Sequence, residues 1–242
     1  MSARKTIALA LALSLVATSA PALAQDGGLA GRLAAYKHRV ALLEDQNAIE
    51  NLQATYGYYF DKGLWDQAAD LFAPNGSFEY GQRGVYIGVP HIRRAMLLFG
   101  PQGLAAGHLN NHMQLQAVIT VADDGLSAKA RWQGMIMLAQ PGQNGVWGVG
   151  VYENQYVKQG GVWKIAKLHF YVTAETDYDL GWTKSAIPME GPSALFPPDK
   201  PPSEVYRSFP GVYIPPFDYK NPVTGKSLAD IPEPRDDVVG RK

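Results

Sequence analysis

Asp61 follows four aromatic or glycine positions, Gly57 to Phe60, a crowded place for a carboxylate unless it is paired or put to use. A helix-terminal aspartate bonded to backbone is the other reading. His108 and His112 stand four residues apart, and imidazole changes charge near neutrality, which suits it to giving and taking protons. The same spacing suits a metal, but no carboxylate close in sequence completes a ligand set, so no metal is expected. The Tyr80 phenol can donate to a substrate oxygen or pack in the core. His169 interrupts an apolar run between Leu168 and Phe170 as either an acid–base group or a satisfied edge histidine. Tyr152 and Asn154 share one face of a strand and can orient a ligand by hydrogen bonds. Arg131 alternates away from Ala130 and Trp132, so it reaches a pocket only through a bulge and is otherwise a surface ion pair, the favoured reading. Tyr56, Tyr58 and Tyr59, with Tyr80 and Trp147, offer ring surfaces for a ring-bearing ligand.

Positioning these groups falls first to the stretch Leu42 to Phe72. Ile49, Leu52, Tyr56 and Tyr59 recur at helical spacing, Gly63 breaks the helix, and Trp65, Ala68, Ala69 and Phe72 repeat the pattern in a shorter one. Pro74-Asn75-Gly76 reads as a turn, Ser77 to Tyr80 and Val85 to Ile87 as short strands, and Pro90 as the start of a third helix carrying Ile92, Ala95, Met96 and Phe99. From His108 to about Thr173 the period changes to that of strands, and four long antiparallel segments form a meander. In the first of them His108, Asn110, His112, Gln114 and Gln116 fall opposite the apolar set. A bulge near Asn110-Asn111 would turn its beginning inward; without one, the two histidines face solvent or an interface. Helices first and sheet after favour a segregated α+β fold.

Met1 to Ala24 has the layout of a secretory signal: Arg4 and Lys5, an apolar run, then Ala22-Leu23-Ala24. Cleavage before Gln25 and a periplasmic or secreted location are expected. The 242 residues carry 22 basic and 22 acidic side chains, which courts neither nucleic acid nor anionic membrane. With no cysteine, the fold rests on an ordinary hydrophobic core. Residues 25–41 are a lead-in of undisclosed role. From Pro188 onward the chain holds 12 of its 17 prolines, interleaved with Tyr206, Phe209, Tyr213, Phe217 and Tyr219. It reads as an extended arm, residues 176–242, lying on the domain or on a neighbouring subunit.

The runs Tyr56 to Asp61, Gly63-Leu64-Trp65-Asp66 and Leu71-Phe72-Ala73 resemble the opening of SnoaL-like domains in the NTF2-like superfamily. So do Gly88 to Ile92, His108, Tyr152-Glu153-Asn154 and Gly161 to Ile165 further on. The resemblance covers residues 42–175 and implies a cone of curved antiparallel sheet wrapped by the N-terminal helices, with a deep pocket at its open end. Such domains work by acid–base chemistry without cofactor, or only bind, and they often associate as dimers or trimers. Similarity to scytalone dehydratase implies that Asp61 orients a catalytic histidine, that His108 is that histidine, and that Tyr80 polarises substrate through a water. That enzyme's second histidine has no match here, where Met137-Leu138 stands. The arm is similar to that of sphingomonad lyases that deformylate lignin-derived aromatic dimers. The expectation is a cofactor-free lyase, with an isomerase or dehydratase and a binding protein as alternatives. Asp61, His108, Tyr80 and His169 would act on a substrate held by Tyr56, Tyr58, Tyr59, His112, Arg131, Trp147, Tyr152 and Asn154.

Overall fold

A computed structural model describes residues 28–228; the signal segment lies outside them. The first helix, α1 (Leu29–Asp61), begins thirteen residues before the Leu42 expected from the apolar stripe. The chain divides between Arg39 and Val40, within this helix, and the later unit carries everything that follows. Next come α2 (Trp65–Asp70), β1 (Phe72–Tyr80), β2 (Val85–Ile87) and α3 (Val89–Met96). Four long strands complete the domain, β3 (Leu109–Val121), β4 (Ser127–Ala139), β5 (Gly145–Gln159) and β6 (Val162–Asp177).

The six strands form one sheet in the order β2-β1-β6-β5-β4-β3. All neighbours are antiparallel except β1 and β6, so the expected antiparallel sheet contains one parallel pair. The helical connection between β2 and β3 carries the chain from one sheet edge to the other. The Pro74-Asn75-Gly76 turn proves to be an irregularity inside β1: Phe72 pairs with Ile165 and Ser77 with Lys167, so extra residues bulge out between them. Further bulges interrupt β3 against β4 and β6 against β5. Each adds local twist, and together they curl the sheet around α1.

The core lies between that concave face and the helices. Ile49, Tyr56 and Phe60 of α1 meet Trp65, Phe72, Phe78, Trp132, Ile136 and Phe170, all at most 3% exposed. Each such side chain contributes about 1.5–3 kcal/mol by leaving water. The buried stripe of α1 is rotated from the expected one, with Gln53 inside and Leu52 and Tyr59 at its flanks. Gln53 is affordable there because it is fully bonded. It donates to Gln114 at 2.7 Å and accepts from Asn154 at 2.9 Å and from the Tyr156 hydroxyl at 2.7 Å. Nearer the start of the helix, buried Asp45 accepts from Lys158 at 2.6 Å and from the Trp163 indole at 2.8 Å, tying α1 to β5 and β6.

The proline-rich arm crosses the outer face of its own domain. Asp199 accepts from the Ile87 amide, Glu79 accepts from both the amide and hydroxyl of Ser203 at 2.7 Å, and the Tyr206 hydroxyl accepts from the Val172 amide. Beyond them, Arg131 donates to the carbonyls of Pro215 and Pro216 under the Phe217 ring.

Candidate active site

The end of α1, the end of β1 and the beginnings of β3 and β5 converge at one rim of the cone. Two adjoining cavities open there, of about 310 and 550 Å³, both walled by Phe99, Asn110, Leu138 and Val146. Into the inner one face Tyr80, Arg83, His112 and Glu175, with Pro188 and Met189 of the arm across it. The outer one is more apolar and open, bordered by Trp65, Pro101, Leu104, His108 and Leu109.

His112 reaches this cavity because β3 does bulge, though not at Asn110-Asn111. Leu115 pairs with Gln133 and Val118 with Arg131, so one extra residue sits between them, where Gln116 has φ +50°. Before the bulge Asn110, His112 and Gln114 point inward; after it Ile119 and Val121 do. Close approach of α1 completes the arrangement. A Cβ on Gly57 would stand 2.8 Å from Gln114 Cγ, so only glycine lets the helix lie this near β3. Asp61, one turn on, then accepts the His112 backbone N–H at 2.6 Å, and its Oδ1 lies 3.7 Å from His112 Nδ1. That separation is too long for a hydrogen bond, and the buried Nδ1 has no other partner among the described residues.

Burial lowers the His112 pKa, and the nearby Asp61 carboxylate offsets this only in part, so the ring is neutral at neutral pH. Tyr80 packs edge-on against Phe99, and burial raises its phenol well above the ordinary value, which keeps it a hydrogen-bond donor. Glu175 is raised as well, by burial first, with Arg83 opposing and Glu190 reinforcing the shift. A neutral imidazole, a carboxyl biased toward its protonated form and a phenol thus share one chamber, which can hold and exchange protons with a hydroxylated ligand.

Several expected residues lie elsewhere. His108 is exposed in the turn before β3 and rests against the Gln140 amide at the outer rim, so His112 stands beside Asp61 in its place. His169 is 1% exposed but faces the other side of the sheet, because its neighbours Leu168 and Phe170 take the core face. It stacks on Tyr171 at 3.7 Å, 3.5 Å from Glu79, beneath the arm. Arg131, on that same outer face, pairs with Glu153. Trp147 faces outward too, stacked on Tyr178 at 5.9 Å in an apolar cleft. Tyr58 is 74% exposed on the far side of α1, and Tyr59 packs against the core away from the cavity. Tyr56, Tyr152 and Asn154 do point inward but are consumed below the cavity floor. Tyr56 packs on Phe60 and Phe72, while the Tyr152 hydroxyl accepts from Gln114 at 3.3 Å. Sequence reasoning missed Arg83 and Glu175, the latter lying beyond a bulge that no periodicity announces.

A family model described as a SnoaL-like domain matches residues 41–169. The chain belongs to the SnoaL-like family. Among solved structures, this SnoaL-like chain is similar to a Novosphingobium aromaticivorans protein provisionally classed as a scytalone dehydratase. Identity is 19% over 64% of this chain and 97% of the other, at TM-score 0.50. It is also similar to LinA, at 16% identity over 57% of this chain and 92% of that one, with TM-score 0.51. An NTF2-like protein with a cystatin-like fold, again from Novosphingobium aromaticivorans, matches at 21% identity over 61% of this chain and 91% of its own, with TM-score 0.49. At such identities the likeness to the first two establishes the fold alone. No curated protein sequence matches the chain significantly.

Proposed function

We propose that the protein is a cofactor-independent lyase that acts by acid–base chemistry on a hydrophobic, hydroxylated aromatic molecule. One observation carries the reading: a buried, neutral imidazole, His112, held at 3.7 Å from Asp61 with its Nδ1 unpartnered among the described residues, faces a cavity it shares with Tyr80. SnoaL-like domains are in general enzymatic, of dehydratase, isomerase or lyase type, and such a site needs no more than positioned proton donors and acceptors. The shape supports an elongated ligand. Its oxygenated end would meet the polar inner chamber, and a second ring would lie in the outer one, against Leu104 and Leu109. Together the chambers suit a two-ring molecule such as a 1,2-diarylpropane-1,3-diol. Its deformylation is redox-neutral, yielding a stilbene, water and formaldehyde.

A dehydratase is the second reading, favoured by the same groups, since departure of a benzylic hydroxyl is itself a dehydration. Incubation of the protein with a 1,2-diarylpropane-1,3-diol, without added cofactor, tests both. Formaldehyde together with stilbene absorbance supports the lyase, and a dehydrated product without formaldehyde supports the dehydratase. Binding without turnover would sink the enzymatic reading for this substrate class and leave a binding protein. For the N-terminal segment we propose export, tested by whether protein recovered from outside the cytoplasm begins at Gln25.

A further inference from the structure

We propose that Glu175 is a catalytic carboxyl, the group that gives a proton to the hydroxyl leaving the ligand while His112 takes one from the hydroxyl that remains. The proposal rests on the lyase reading above and names the acid that reading lacks.

Three features place Glu175 there. In β6, Ala174 pairs with Val149 but Val172 with Gly150, so one extra residue, Thr173, stands between them. Plain alternation from Phe170 and Val172 would point Ala174 inward and Glu175 outward. The extra residue reverses this and sends Glu175 into the inner cavity, which Val172 also lines. Second, the strand opposite makes room. Gly148 pairs with Glu175, and a Cβ built there would stand 3.1 Å from Ile136 Cβ and 3.5 Å from Glu175 Cγ. Third, the carboxyl makes no side-chain hydrogen bond or ion pair with any described residue, while its backbone carbonyl accepts from the Ile187 amide and fixes the strand end. The side chain is half-buried and its oxygens are not among the buried unpartnered atoms, so the carboxyl meets water in the cavity and is within reach of a ligand that enters it.

The groups that face it are Arg83 from the β1–β2 loop, Tyr80 from β1, His112 from β3 and Glu190 from the arm. Arg83 is engaged elsewhere, by the exposed Glu190 at 2.7 Å. Burial biases Glu175 toward its protonated form and His112 toward its neutral form, the pairing an acid and a base require.

The step balances without oxidant or reductant. The Glu175 O–H bond breaks as its proton joins the benzylic hydroxyl, whose C–O bond breaks with the electron pair leaving in water. The electron-poor benzylic carbon, stabilised by a para oxygen on its ring, draws in the pair of the neighbouring C–C bond to form the alkene. The terminal carbon departs as formaldehyde once its hydroxyl proton passes to His112, and the two residues regain their starting states by proton exchange with solvent.

The test compares wild type, Glu175→Gln and Glu175→Ala with a 1,2-diarylpropane-1,3-diol as substrate and a hydroxystilbene as bound probe. Glu175→Gln is expected to lower kcat by about 10²–10⁴-fold. Affinity for the hydroxystilbene should stay within about threefold, and the variant's residual kcat/KM should lack the alkaline limb of the wild-type pH profile, because the acid must be protonated. Turnover within threefold of wild type, or activity lost only in proportion to affinity, overturns the proposal. If wild type itself does not turn over the diol, the lyase reading fails on its own. Glu175 is then judged by calorimetry of hydroxystilbene binding in buffers of different ionisation enthalpy. Proton exchange seen in wild type and absent from Glu175→Gln supports a proton-exchanging carboxyl in the cavity, and exchange unchanged by the substitution overturns it.

Discussion

If the proposed acid–base chemistry holds, His112 and Asp61 divide its labour in a way that kinetics can measure. His112→Ala removes the neutral imidazole and is expected to cost about 10²–10⁴-fold in kcat. Asp61→Asn keeps an oxygen able to accept the His112 amide but removes the charge that would stabilise an imidazolium, so a smaller loss is expected, on the order of 10–10³-fold. Because burial holds the His112 pKa below its ordinary value, the ring stays a competent base into mildly acidic solution. Activity should fall only as pH drops through that depressed value, and in Asp61→Asn the acidic limb should shift to still lower pH. Steady-state kinetics across pH checks both statements, and a limb that moves upward would contradict them. His108→Ala, by contrast, should leave the pH dependence of kcat unchanged and show its loss, if any, in KM, since that ring lies exposed at the rim of the outer chamber and away from Asp61. At this scale the sequence brought forward Asp61 and Tyr80 as acid–base groups and His112 as a binding group, and the structure sets His112 between the other two, beside Asp61 and in one cavity with Tyr80. Alternation puts His108 and His112 on one face in the sequence, and facing alone cannot say which of them lies beside the carboxylate; in the structure His108 stays in the turn before β3 and His112 takes that place.

Elements decide such facings, and here bulges do the deciding. The irregularity in β3 was legible as a need, since the apolar set at the strand's end and the histidines at its beginning cannot otherwise both be served. Its place was not legible, because Gln114, Gln116 and Ala117 read much alike on either face. The Thr173 bulge left no such conflict in the pattern, so Glu175 stayed hidden. Helix starts were obscured for a related reason: residues 29–41 lack the buried stripe that marked Leu42 onward, yet helical spacing of alanine and leucine suffices there. The β3 bulge carries a testable strain. Gln116 sits at φ +50°, where a side chain costs about 1 kcal/mol and glycine almost nothing. Gln116→Gly should therefore stabilise the protein by up to about 1 kcal/mol in urea denaturation, and Gln116→Val should destabilise it by at least as much. Turnover should be unchanged in the glycine variant, because the residue itself points away from the cavity.

Taken as a whole, the molecule uses both faces of its sheet for polar groups, and the concave one carries the chamber lined by Tyr80, His112 and Glu175. On the outer face a row crosses four strands, Glu79 on β1, His169 on β6, Glu153 on β5 and Arg131 on β4, and the arm roofs it from Ser203 to Phe217. His169 lies in the middle of that row with neither ring nitrogen hydrogen-bonded to any described residue. Glu79, 3.5 Å away, would favour a charged ring, but both of its oxygens are committed to Ser203, and burial with Lys167 nearby pushes the imidazole down to about 3. An unfolded histidine takes up its proton near pH 6.5, whereas this one refuses it until about 3. The unfolded state therefore binds more protons throughout that window. The stability contributed by the neutral ring is complete above pH 6.5 and is lost progressively as pH falls toward 3. Between pH 7 and pH 4.5 the loss from this residue is on the order of 2–3 kcal/mol. His169→Phe keeps a ring to stack on Tyr171 and has no proton to gain. Urea denaturation of the two proteins at both pH values should show the wild type losing that much more than the variant, with the arm becoming sensitive to protease first. Equal losses would mean that Glu79 does charge the ring in the native state, making the row an ion-paired seam. A lower turnover in His169→Phe at neutral pH would instead show that the outer face communicates with the cavity, which the separation of the two by the sheet argues against.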